Sequence, residues 1–316
     1  MKTLNKSPHW LVIAIVFLGV VAISTGSIFV RLAIDAAGLR GVGFSLLISA
    51  SRLSIAALLL TPTWGRVSWR TYKREAIFYA IGAGICLATH FSVWITSLSY
   101  TSIAASTTIV TTSSIWVAVL SWLWWHERPG KATILGMTIA LSGGMIIGLA
   151  DTKLSTVASN PIAGNILALM GAITAALYLM LGREAQQRGL SLSAYIAIAY
   201  TVGAMILLPL PLLWGVNYTG HSATVYFYLI LMGLVPQLIG HTSFNWAVNR
   251  TSPTLVTLAI LLEPVAASFL GYLLFAEVPS RRLILGAIVI LTGVAIATRG
   301  NNASKTQSNP QETATP

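Results

Sequence analysis

The sequence predicts an all-α integral membrane protein of ten transmembrane helices, built as two inverted five-helix repeats with both termini in the cytoplasm. Three observations lead there: an apolar composition, ten hydrophobic runs of spanning length, and a second half that repeats the first. The 316 residues are 55% hydrophobic and 9% charged, against roughly 25% charged in a soluble domain. Mean hydropathy is +0.78. No soluble core needs that much apolar surface, so lipid must be part of the solvent.

Runs of about 20 apolar residues fall at 10–34, 43–62, 76–98, 101–125, 132–150, 162–183, 193–214, 224–247, 253–275 and 282–299. Lys2 and Lys6 before the first run imitate a secretory leader. That run lacks a small-x-small cleavage site and continues through Phe29 and Val30, so it reads as a retained first span. Span four ends in Trp122, Trp124 and Trp125, residues suited to the membrane interface. Spans five and ten carry Gly144-x-x-x-Gly148, Gly286 and Gly293, which suggests close helix packing or a dimer face. Residues 301–316 are polar and expected to be disordered. Connections between spans are short and leave no room for a soluble domain.

A net charge of +11 would suggest nucleic acid in a soluble chain, but the positive-inside rule accounts for it here. With the N-terminus inside, thirteen Lys and Arg fall in cytoplasmic segments and four (Arg40, Lys153, Arg281, Arg282) in outer loops. Arg31 and Arg52 remain within spans. The single cysteine, Cys86, excludes disulfides and thiolate metal clusters within one chain.

Shifting the sequence by 150 residues aligns 100–149 with 250–299 without a gap, and thirteen of fifty positions are identical. The matches include Glu127/Glu277, Pro129/Pro279, Gly136/Gly286 and Gly143/Gly293. A matched Glu-x-Pro in a loop is not a hydrophobic coincidence. The chain therefore divides into 1–150, 151–300 and the tail. Five spans is an odd number, so the second copy enters the membrane upside down, as in many secondary transporters.

The stretches "GSIFVRLAI", "ASRLSIAALLL", "GNILALMGAITAALYLMLGRE" and "LLEPVAASFLGYLLFAEVPSRRLILGAIVILTGVAIA" resemble the drug/metabolite transporter superfamily, in its ten-helix branch with two EamA-type domains. The resemblance covers about residues 10–299. It implies a carrier of small metabolites, often an exporter, with a cavity between spans 1–4 and 6–9 and with spans 5 and 10 peripheral. It also implies a proline in spans four and nine alike. Here span four has Ser113-Ser114 where span nine has Glu263-Pro264, so symmetric bending of the two helices is not expected.

Polar groups inside a membrane are functional candidates by default, each weighed against helix-to-helix bonding. Gln237, His241 and Asn245 at i, i+4 and i+8 make one helical face, beside Pro236. That face suits a polar or zwitterionic solute, or an interhelical ladder. His90 and Trp94 form a second candidate face, with Ser97 beyond. Histidine can exchange a proton near neutral pH, although a lone buried one more often bonds a neighbouring backbone group. Span four is rich in hydroxyls, with Thr107, Thr111 and Ser114 on one stripe and Thr108 and Thr112 widening it. Such a run can wall a cavity or simply bond its own helix. Thr174 and Tyr178 share a face of span six. Arg52, the arginine the family carries in its second helix, is read as binding a substrate carboxylate or pairing with Glu263. Glu263 is then that partner or a proton carrier, and Pro264 frees the carbonyl of Ile260 beside it.

Enzyme signatures are missing. "HERPG" lacks the second histidine of a zinc protease, "GAGICLA" lacks the third glycine of a dinucleotide site, and no Walker loop is present. No cofactor and no metal site is expected. The sequence thus predicts a multi-pass protein of the cytoplasmic (inner) membrane, monomer or weak homodimer. It would export small polar metabolites such as amino acids by alternating access, with protons as the candidate coupling ion. An intramembrane enzyme acting on a lipid or small metabolite, with His90 and His241 as acid and base, is the alternative. A channel or sensor scaffold is a third.

Overall fold

A computed structural model describes residues 8–67, 69–101, 106, 109–126, 128–150, 160–275 and 281–307. The described residues contain helix and no strand. The principal helices are α1 (His9–Ala37), α2 (Val42–Leu59), α3 (Arg74–Ser97), α4 (Ser113–Trp125), α5 (Lys131–Ala150), α6 (Pro161–Gln187), α7 (Leu192–Leu207), α8 (Ala223–Val248), the half-helices α9a (Pro253–Ile260) and α9b (Glu263–Phe275), and α10 (Arg281–Gln307). Among the described residues, seven helical stretches are long and apolar enough to cross a membrane, and Ile109–Trp125, Lys131–Ile146 and Ile284–Ala297 are shorter apolar helices. In hydrocarbon a spanning segment must satisfy its own backbone groups, and helices do so without partners.

Local sequence explains where the helices of the second half begin. Asn160, Ser191, Ser222 and Ser252 each accept a bond from the backbone N–H three residues on. Pro161 and Pro253 follow directly at the first helical position, where a missing N–H costs nothing. At the other end of α1, Gly38 takes a left-handed conformation (φ 63°) and closes the helix onto Ile34 O. α10 continues to Gln307, beyond the expected start of a disordered tail. Residues 308–316 lie outside the described residues.

Small residues set how closely the helices approach, since lipid provides no hydrophobic drive between them. On α5 and α10, a Cβ added at Gly143 would sit 2.7 Å from both Gly286 O and Ile290 N, and one at Gly136 would strike Gly293 O. Gly136 and Gly143 are the 150-shifted equivalents of Gly286 and Gly293. Each therefore packs on the counterpart of the other, the reciprocal contact of an antiparallel pair related by a two-fold axis. At one end of the bundle, Arg188 binds Glu75 at 2.7 Å and Glu184 at 3.1 Å, while Trp125 Nε1 donates to Glu184. Those contacts tie α3, α4 and α6 together.

Three of the helix interruptions among the described residues bear on the site. Between α9a and α9b, Leu261 and Leu262 donate to Leu258 and Ala259 in tight i to i−3 bonds, and Pro264 falls in the first turn of α9b. Thr112 makes the matching break ahead of α4, where its N–H bonds Ile109 O at 3.0 Å. Symmetric interruption therefore occurs without a symmetric proline. In the first half hydroxyls take that role: Thr112 Oγ1 donates to Ile109 O at 2.6 Å and Ser114 Oγ to Thr111 O at 3.2 Å, the local bonding that bends helices. In α8, the stretch Gly233–His241 around Pro236 is π-helical, a form that adds residues to the turn and recurs at functional sites.

Candidate functional site

The three interruptions meet around a central cavity of about 70 Å³, room for several waters or a small solute. Its polar wall comes from both halves of the chain: Arg52, His90, Trp94, Thr111 and Ser113 from the first, Tyr178, His241 and Glu263 from the second. Ile23, Phe91, Val110, Leu179, Phe244 and Ile260 supply apolar surface.

α2 carries Arg52 into this wall, where it is 2% exposed. Its Nε donates to Gln237 Oε1 at 2.7 Å, and its guanidinium lies 4.1 Å over the Phe91 ring. The expected ion pair with Glu263 is not formed: both residues line the cavity, but no Arg52 nitrogen comes within 4.0 Å of that carboxylate among the described residues. Gln237 and Phe91 engage the guanidinium instead, and Glu263 stands at the start of α9b with its carbonyl accepting from Ser24 Oγ at 3.3 Å.

On α3, His90 Nδ1 lies 2.8 Å from Gly171 O. A carbonyl only accepts, so Nδ1 carries the proton and Nε2 is the ring's acceptor in the neutral form. Trp94 stacks on His90 with planes 6° apart. Its Nε1 is buried and has no hydrogen-bond partner among the described residues. His241 meets the edge of Phe91 with centroids 5.3 Å apart.

Gln237, His241 and Asn245 take different neighbours around the cavity. His241 lines the cavity, Gln237 turns to Arg52, and Asn245 Nδ2 donates to Tyr178 Oη. Tyr178 remains on the wall with its hydroxyl occupied. Thr111 reaches the cavity, but Ser113 replaces Ser114, because the break at Thr112 rotates the helix that follows. Thr107 and Thr108 lie outside the described residues, as do Glu127 and Glu277. Thr174 bonds its own helix at Met170 O, 2.7 Å away, and Ala175 faces the cavity instead. Arg31 stands apart, 4.0 Å from Asp35 and 54% exposed.

The apolar wall carried no sequence signal, since Phe91 or Phe244 on a spanning helix looks like any packing residue. No cluster of three metal-ligating side chains occurs among the described residues.

The Asn245–Tyr178 bond joins α8 to α6 inside the apolar bundle, so its loss is measurable. Tyr178→Phe is expected to cost about 1 kcal/mol, the range of interhelical bonds in membranes. A melt of the purified protein in detergent, falling by a few degrees, checks it.

Comparison with known proteins bears on what such a cavity serves. The profile of the EamA-like transporter family matches residues 9–149 and again residues 162–299. A "Probable terminal-alkyne amino-acid exporter" of Streptantibioticus cattleyicolor is 25% identical over 292 residues, covering 91% of each chain. A "Probable 4-amino-4-deoxy-L-arabinose-phosphoundecaprenol flippase subunit" of Salmonella newport is 26% identical over 106 residues, 96% of that subunit and 33% of this chain. A crystal structure of another protein shares the fold with a TM-score of 0.74 at 17% identity, covering 94% of this chain and all of the other.

Proposed function

This chain belongs to the EamA-like transporter family, and from that premise we propose a secondary transporter that exports small polar metabolites such as amino acids across the cytoplasmic membrane. The observation that carries the reading is the cavity itself, whose polar side chains come from both halves and meet where helices are interrupted. Interrupted helices around a central site are how transporters expose backbone and side-chain groups to a solute in a membrane. In this reading the halves are inverted five-helix repeats, 1–150 and 151–300, in a ten-helix protein with both termini inside, working as a monomer or weak homodimer. The reciprocal glycine contact between α5 and α10 supports the inversion. The amino-acid exporter among the relatives supports the solute class.

Substrate binding falls to His90, Trp94, Thr111, Tyr178 and His241 on the wall. Gln237, Asn245 and Ser114 sit one layer behind and hold Arg52, Tyr178 and the backbone of Thr111. Protons are the proposed coupling ion, with Glu263, His90 and His241 as the titratable groups on the wall. Uptake into proteoliposomes with and without an imposed pH gradient tests the coupling. The gradient is expected to speed transport several-fold, and equal rates would remove protons from the mechanism. In Glu263→Gln, a folded protein whose rate ignores the gradient would make Glu263 the carrier.

A further inference from the structure

We infer that this cavity is built to receive a zwitterion with a small apolar body, the carboxylate held by Arg52 and Trp94 and the ammonium by Glu263. The inference rests on the transporter reading and names the chemistry of its solute.

The first half of the wall has donors left over. Arg52 is 2% exposed and spends Nε on Gln237, while its two terminal nitrogens find no acceptor among the described residues. Trp94 Nε1 is likewise without one. Trp94 Nε1 is withdrawn from water and unpaired, which is costly, and Arg52 lines the same cavity, so a solute entering it can supply acceptors to both. The Nε bond and the stacking on Phe91 at 4.1 Å fix the guanidinium plane. The free edge is then the two-pronged fork that matches a carboxylate.

The second half of the wall offers the opposite charge. Glu263 lines the same cavity without pairing to Arg52. Ile260 lines it too, and its carbonyl lacks a helical donor because position 264 is proline. A carboxylate beside an uncommitted carbonyl is a site for an ammonium group. Two opposite charges kept apart in one small cavity are both satisfied by a solute that carries both. A simple acid or a simple amine would leave one of them unmatched. Ile23, Val110, Leu179, Phe244 and Ile260 then surround the rest of the solute, which selects an aliphatic side chain. L-Leucine is a suitable probe.

The test compares thermal stabilisation of purified protein by L-leucine, by 4-methylpentanoate (the same body without the amine) and by 3-methylbutylamine (without the carboxylate). Binding to the folded state must raise apparent stability. Wild type is expected to bind leucine at least tenfold more tightly than either analogue. Arg52→Gln is expected to lose tenfold or more for leucine and for the acid while keeping the amine, and Glu263→Gln to show the mirror pattern. Arg52→Lys, which keeps charge but not the fork, falls between. The proposal is overturned if the singly charged analogues stabilise wild type as well as leucine does, or if each variant weakens all three ligands alike. Should Arg52→Gln fail to fold, the wild-type ranking and Arg52→Lys decide. Saturable proteoliposome uptake of an uncharged solute such as thymidine, with no leucine stabilisation, would overturn the zwitterion while leaving a carrier. Absence of both would overturn both.

Discussion

Gly143→Ala is expected to destabilise the folded protein by about 1–3 kcal/mol, the usual cost of forcing volume into a packed contact. Added to the glycine, one methyl group meets Gly286 O and Ile290 N at 2.7 Å. Both are backbone atoms, so no side chain can swing away and α5 must separate from α10. Its neighbour is the control. A Cβ at Gly144 would have Thr111 Oγ1 as its nearest atom, at 4.0 Å, an ordinary contact, so Gly144→Ala is expected to change stability by less than about 0.5 kcal/mol. Detergent melts and the monodisperse fraction on size exclusion separate the two. Equal effects at 143 and 144 would mean that α5 and α10 are not in this register.

The second large effect belongs to Gln237. Its carbonyl oxygen is the acceptor for Arg52 Nε, and the residue is fully buried. Gln237→Leu removes that acceptor from a charged donor and is expected to cost about 1.5–3 kcal/mol. It also frees the guanidinium to leave its place over Phe91, so leucine binding should fall at least tenfold. Gln237→Glu separates the two roles. A carboxylate in the same place would pair with Arg52 and keep the protein folded, yet the paired arginine would no longer attract a substrate carboxylate. A variant at least as stable as wild type but unable to bind leucine is the expected result. Normal binding in Gln237→Glu would remove Arg52 from recognition.

Much of this fold could be read from hydrophobicity alone, because a bilayer imposes one length and one polarity on every span. The helices of the first three spans begin and end within three residues of the apolar runs. Glycines in spans five and ten suggested close packing, but the contact runs through Gly136 and Gly143 against Gly293 and Gly286, not through Gly144 of the Gly144-x-x-x-Gly148 spacing. What could not be read is what depends on pairing across the bundle or on a change of helical form. Thr112 interrupts its helix with a hydroxyl bond to Ile109 O, and a threonine in an apolar run is equally at home in a straight helix. Pro236 announced a disturbance in α8, but not that the turn would widen to a π-helix. Arg52 was legible as a costly charge needing company. Its company turned out to be an amide and an aromatic face, neither of which carries a charge to look for.

In the proposed mechanism both halves of the wall act on one solute that crosses the membrane by alternating access. Counterflow measures this most directly. Proteoliposomes loaded with a high concentration of unlabelled L-leucine are diluted into a trace of labelled leucine, with no ion gradient present. The account predicts transient accumulation of label above equilibrium, saturating with external leucine, and its loss in Gln237→Glu. Flux that rises linearly with concentration and shows no overshoot would indicate a channel, and labelled leucine that stays outside or emerges chemically changed would contradict the account.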